Sequence, residues 1–134
     1  QNPVRRRQGR ACCNRKGCVM TKSTPLCPNQ ALLDIELERA RQQLVEGWTP
    51  EHDDTHDGFE MSRAAACYAM IAAYPYVAGA FFANLITNIW PWDKKWWKPV
   101  DSRRDLVKAG ALIVAEIERL DRKAAKAKEA EEAQ

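Results

Sequence analysis

The sequence predicts an all-α protein: a compact bundle of about four helices, with a Trp/Pro-rich loop before the last helix and an irregular basic arm at the start. Three observations carry that expectation. Apolar residues recur at helical spacing in two well-separated segments. Capping and stop residues bracket those segments. No stretch alternates apolar with polar residues, and no hairpin turn signal or internal repeat occurs. With 134 residues, 46% of them hydrophobic, the chain is long enough for one domain with a real core.

Residues 1–28 read as the arm, either disordered or an upstream extension. The chain begins at Gln1, so it reads as a fragment or a processed chain, and Met20 is a candidate natural start. Residues 1–30 hold Arg5, Arg6, Arg7, Arg10, Arg15, Lys16 and Lys22 and no acid, a charge of +7. The remainder sets 14 basic residues against 18 acidic ones, a charge of −4. Such an arm can act as a nucleic-acid tether through phosphate charge, salt-sensitive and blind to sequence. Cys12, Cys13, Cys18 and Cys27 also fall there, but C-C-x4-C-x8-C lacks the paired C-x2-C knuckles of a zinc site, which disfavours zinc. Disulfides are disfavoured further by the odd total of five cysteines, and a reducing, cytoplasmic setting is expected.

The helical domain spans residues 29–122. Asn29 caps a first helix from Gln30, whose stripe is Leu33, Leu37, Ala40 and Leu44; Gly47 stops it. Thr49 before Pro50 is an N-cap followed by an N1 proline, so a short helical turn follows. A further helix runs from about Phe59 to Tyr74, where Pro75 ends or kinks it. A third apolar helix covers about 77–88. Ser102 opens the last helix with Asp105 as a capping-box-like partner, and Leu106, Gly110, Ile113, Ile117 and Leu120 form its stripe. Gly110 admits a close neighbour. Residues 123–134 form a charged tail of high helix propensity without a buried face, expected to fray or to project into solvent. The 29 residues from Ala64 to Trp92 carry no charge, yet Pro75, Gly79, Asn84 and Asn88 interrupt them, so a buried helix is expected rather than a membrane span.

Two segments carry chemistry. Trp90, Trp92, Trp96 and Trp97 crowd into eight residues with Lys94, Lys95 and Lys98, and Arg103 and Arg104 follow. Large rings beside cations suit a stacked anionic ligand, a nucleotide above all; they also suit a loop pinned onto helices. Free N–H groups at the start of the last helix favour phosphate there. The second segment holds Trp48, His52, Asp53, Asp54 and His56. The imidazoles stand four apart, which places both on one helical face, and nearby carboxylates offer an N/O set for a divalent metal. The same acids also serve as ordinary dipole-favoured surface charge, or as hydrogen-bond partners of a ligand. Cofactors stay unassigned. Cys67 reads as an inert core thiol, and no P-loop, G-x-S-x-G or G-x-G-x-x-G occurs.

Residues 34–122 resemble small phage and prophage proteins through EGWTPEHDDTH, WPWDKKWWKP and RRDLVKAGALIVAEIERLDR. The resemblance implies a phage or bacterial cytoplasmic source. A looser similarity runs to MazG-type nucleotide pyrophosphohydrolases, and Glu118-x-x-Asp121 matches the second half of their motif, while E-E-x-x-E has no counterpart. That similarity implies a Mg²⁺ enzyme using Glu36, Glu38, Glu118 and Asp121, with Asp34 and Glu116 nearby. The leading expectation is instead an oligomeric, non-enzymatic nucleotide-binding protein that sequesters an immune signal. Trp48 and the clustered tryptophans wall the base, Lys98, Arg103 and Arg104 hold phosphate, and His52, Asp53, Asp54 and His56 meet ribose, base edge or metal. A third expectation is an inhibitor of a host protein that uses the tryptophans as interface anchors.

Overall fold

The computed structural model describes residues 29–74, 76 and 80–134. The basic arm with its four cysteines, and the Pro75 and Gly79 positions, lie outside the described residues. The described chain is all-α: α1 (Gln30–Val45), α2 (Pro50–Asp53), α3 (Glu60–Ala73), α4 (Ala80–Ile89) and α5 (Ser102–Glu132), with one 3-10 turn at Lys94–Trp96. None of its helices is long and apolar enough to cross a membrane.

Local chemistry sets most boundaries. The Asn29 carboxamide accepts from the Ala31 N–H at 3.0 Å and opens α1. Gly47 ends it at φ +76, a left-handed conformation that glycine adopts without a Cβ clash. Trp48 N–H then donates back to the Gln42 carbonyl at 3.1 Å, which folds the chain over the end of α1. The Thr49 hydroxyl accepts from His52 N–H at 3.3 Å and Pro50 takes the first position of α2, as the sequence predicts. α3 has no side-chain cap; it starts after Phe59, held at φ 60 under the Arg119 guanidinium, 5.8 Å from the ring. At α5 the capping pair is shifted from the expected Ser102 and Asp105. Asp101 accepts from Arg104 N–H at 2.8 Å, and Asp105 reaches back to Val100 N–H at 2.9 Å.

The apolar core lies between α3 and α5, the pair in most extensive contact. Alanines at 64, 65, 109 and 115 let the two backbones close, and Met61, Cys67, Tyr68, Ile86, Trp90 and Leu112 fill the rest. Gly110 admits α1 as expected: a Cβ there would stand 2.7 Å from Ile35 Cδ1.

Two expectations about burial fail together. The α1 stripe does not face the core: Leu37 is 66% and Leu44 86% exposed, while Glu38, Arg39 and Gln42 are buried. On α5, Leu106, Ile113, Ile117 and Leu120 are all at least 40% exposed. The polar face of α1 goes inside because its partners wait there. Arg39 donates to Asp53 at 2.6 Å, to Glu118 at 2.9 Å and to the Trp48 carbonyl at 3.5 Å. Glu38 is held by Arg41, Arg104 and Gln42. Buried charge is tolerable when paired in this way and costly when it is not. The tail continues α5 to Glu132 with its side chains exposed.

Two predictions follow from these pairs. Arg39→Ala leaves Asp53 buried without its cation and should lower stability by about 3–5 kcal/mol in urea unfolding. The second concerns pH. Burial acts to raise the Glu38 pKa, but hydrogen bonds from Arg41 and Arg104 outweigh it and hold the carboxyl at about 2, below the ordinary 4.5. A depressed acid stabilises the fold fully above about 4.5, and that contribution, about 3 kcal/mol, is lost as pH falls towards 2. Glu38→Gln should therefore flatten the stability profile across that window.

Candidate functional site

The turn after α1 and the loop before α5 meet through their tryptophans. Trp48 is fixed from two sides, by its N–H on Gln42 and its carbonyl beneath Arg39. Across from it, the Asp93 carboxylate accepts from Lys95 N–H at 2.9 Å and winds the 3-10 turn that presents Trp96. The Trp48 ring lies 5.5 Å from Trp92 and 6.3 Å from Trp96.

Cavities open on both sides of this wall, and Trp48 and Trp96 line each. The first, about 250 Å³, is closed by His52, Asp53, His56, Met61, Trp92 and Asp93. Its imidazoles stand 4.9 Å apart, and the His56 ring is 5.6 Å from Trp92. The second, about 390 Å³, is lined by Arg41, Lys98, Arg104 and Lys108 against two carboxylates, Glu38 and Glu46, so four cations face two anions. The first cavity lies below the range for small-molecule sites, about 300–1,000 Å³, the second at its low end, and together they fall within it.

The polar inventory is uneven. Among the described residues, His56 Nε2 and Gln42 Oε1 are buried without a hydrogen-bond partner, and each residue borders one of these cavities. Glu60 Oε2 is left in the same way, and buried polar atoms are rarely without a partner. Lys98 and Lys95 each place Nζ 5.6 Å from the Trp96 ring, so cations edge the wall. Lys108 lies 5.2 Å from the Tyr68 ring and donates to the Lys98 carbonyl at 2.5 Å. Burial lowers the Lys108 pKa. Burial pushes the Tyr68 hydroxyl up to about 12, so it stays neutral while accepting from Lys98 N–H.

The residues singled out from sequence divide. Trp48, His52, Asp53, His56, Trp92 and Trp96 border the first cavity, and Lys98 and Arg104 the second. Trp90 is a core residue, 8% exposed, whose indole donates to the Asp93 carbonyl at 3.2 Å; it borders the second cavity and the pocket beside α4. Trp97 stacks 4.7 Å from Tyr68 and lines a separate pocket beside α4. Arg103 turns outward to Asp34 at 2.6 Å, because its side of α5 faces α1 rather than the tryptophans. Asp54 turns to Arg122 and Lys126 at 2.8 and 2.9 Å, on the α5 tail side. Met61, Tyr68, Arg41 and Lys108 escaped the sequence reading. Lys108 stands one helical turn beyond Arg104, a spacing that could have flagged it.

The metal and enzyme expectations fare differently. Asp53 faces Arg39, not the imidazoles; burial raises its pKa, and Arg39 offsets that in part. Asp54 is held elsewhere. Four of the helical carboxylates are engaged: Asp34 by Arg103, Glu38 by Arg41 and Arg104, Glu116 by Arg119, and Glu118 by Arg39. Glu36 and Asp121 are exposed. No group of three or more metal-ligating side chains converges among the described residues. Cys67 is fully buried, and burial raises its thiol to about 11, far from a nucleophile's range.

No protein-family model, no curated protein and no solved structure matches this chain.

Proposed function

We propose that the protein binds a nucleotide across the Trp48–Trp96 wall and returns it unchanged. The base sits in the aromatic cavity, against Trp48, Trp92 and Trp96, with the His56 Nε2 atom at its edge. The phosphate sits in the cationic cavity, near Lys98, Arg104 and Lys108. The observation that carries this reading is the shared wall: one pair of indoles separates a ring-lined space from a space with excess positive charge. Trp96, 40% exposed, gives the ligand an edge to fold around.

Binding rather than turnover is supported by the pairing of Glu38 with Arg41 and Arg104 and of Glu118 with Arg39, which occupies two of the four acids that an enzyme would need for a phosphate-bound Mg²⁺. Combined with the resemblance of residues 34–122 to small phage proteins, this supports sequestration of a nucleotide signal as the biological role.

Isothermal titration against mononucleotides, cyclic nucleotides and ADP-ribose derivatives tests the reading. At least one nucleotide should bind, and its nucleoside should bind more weakly. Trp96→Ala should weaken binding by about 5–150-fold, the equivalent of about 1–3 kcal/mol for one stacked base. Chromatography after long incubation should recover the ligand intact. Absence of binding across the panel at high protein concentration would sink the proposal, and release of monophosphate with pyrophosphate would replace it with the enzyme.

A further inference from the structure

The second cavity is bordered by an acceptor that the surrounding pairs leave unused. Gln42 is 3% exposed, on the buried face of α1, and lines that cavity. Its Nε2 donates to Glu38 Oε1 at 3.2 Å. Glu38 is a carboxylate held by Arg41 and Arg104, so it only accepts, and this fixes which way the Gln42 amide points. The Oε1 atom is left buried with no donor. Tyr68, which lines the same cavity, offers the converse. Its oxygen accepts from Lys98 N–H at 3.3 Å, while its own hydrogen meets no acceptor among the described residues. The other two orphaned atoms specify less. His56 can present a donor or an acceptor at Nε2, and Glu60 borders neither cavity.

We propose that Gln42 reads a free ribose hydroxyl, so that the ligand is a ribonucleotide rather than a deoxyribonucleotide. This rests on the reading that base and phosphate occupy the two cavities. The sugar joins them and therefore passes the wall between. Gln42 stands at the foot of that wall, because its backbone carbonyl accepts from Trp48 N–H at 3.1 Å. On the phosphate side, Lys98 holds Nζ 5.6 Å from the Trp96 ring, against the same wall. A hydroxyl is the group that suits both orphans: it donates to Gln42 Oε1 and can accept from the Tyr68 O–H. A fully ionised phosphate has no proton to give the amide oxygen. An amino group of the base donates, but the base sits against Trp92 and His56, and Gln42 does not line that cavity. A deoxysugar sets a methylene where the hydroxyl would be and leaves the buried oxygen unpaired, which is the basis on which a polar site rejects an analogue lacking its hydroxyl.

Isothermal titration of the full chain with AMP, GMP, CMP and UMP, each beside its 2′-deoxy and 3′-deoxy counterparts, tests the assignment. At least one ribonucleotide should bind, and removing one of its two hydroxyls should weaken it about 5–150-fold, the range for one hydrogen bond to an otherwise unpaired buried group. Gln42→Met keeps the length of the side chain and removes its acceptor. It should lower the affinity for the ribonucleotide to that for the deoxy form and leave the deoxy form unchanged, whereas a merely structural role would weaken both alike. The comparison of ligands on the unaltered chain needs no variant, so it holds even where Gln42→Met misfolds. Equal affinity for the ribonucleotide and both deoxy forms, or a preference for ribose that survives Gln42→Met, overturns the assignment and leaves nucleotide binding standing. Failure of all four ribonucleotides overturns it as well; nucleotide binding itself falls only if the cyclic nucleotides and ADP-ribose derivatives also fail.

Discussion

One guanidinium, Arg39, carries much of the arrangement. It is 5% exposed and joins three parts of the chain: Asp53 at the end of α2, Glu118 in the middle of α5, and the carbonyl of Trp48 in the turn between α1 and α2. An arginine does this where a lysine could not, because its planar fork serves several acceptors at once. Its engagement decides which face of α1 turns inward. It also anchors the segment that carries Trp48, His52 and His56, so the aromatic wall is built on a charge network rather than on the apolar core. Glu38 repeats the device one residue earlier, drawing Arg104 from α5 to the rim of the cationic cavity.

The division of labour between α3 and α1 follows. α3 supplies the apolar core with α5, through alanines that permit close approach and through Met61, Cys67 and Tyr68. α1 supplies paired charge, and its apolar side is left outward beside that of α5.

Much of the fold was legible because its signals are local. Asn29, Thr49 with Pro50, and Gly47 each act within a few residues, and each marks a boundary where the sequence placed it. The N-cap of α5 was misjudged by one residue because Ser102 and Asp101 are both good caps, and only the reach of Asp105 to Val100 separates them. Burial was not legible. Periodicity shows that Leu37 and Ile113 share a face with other apolar residues, but not whether that face meets the chain's own core or another surface. The inward turn of Arg39 depends on Glu118, 79 residues away, and no window of sequence contains both. For the same reason the site was only partly foreseen. The clustering of Trp92, Trp96 and Lys98 was visible, whereas the departure of Arg103 to Asp34 and Asp54 to Arg122 required the helices in place.

The wall itself admits a direct reading in solution. The five tryptophans give five indole N–H signals in a ¹⁵N-labelled protein, and assignment by substitution separates them. Titration with a binding nucleotide should displace the signals of Trp48, Trp92 and Trp96 and leave that of Trp90, sealed on the Asp93 carbonyl, in place. Displacement confined to Trp90 and Trp97, or of none of the five, would contradict a ligand seated on the Trp48–Trp96 wall.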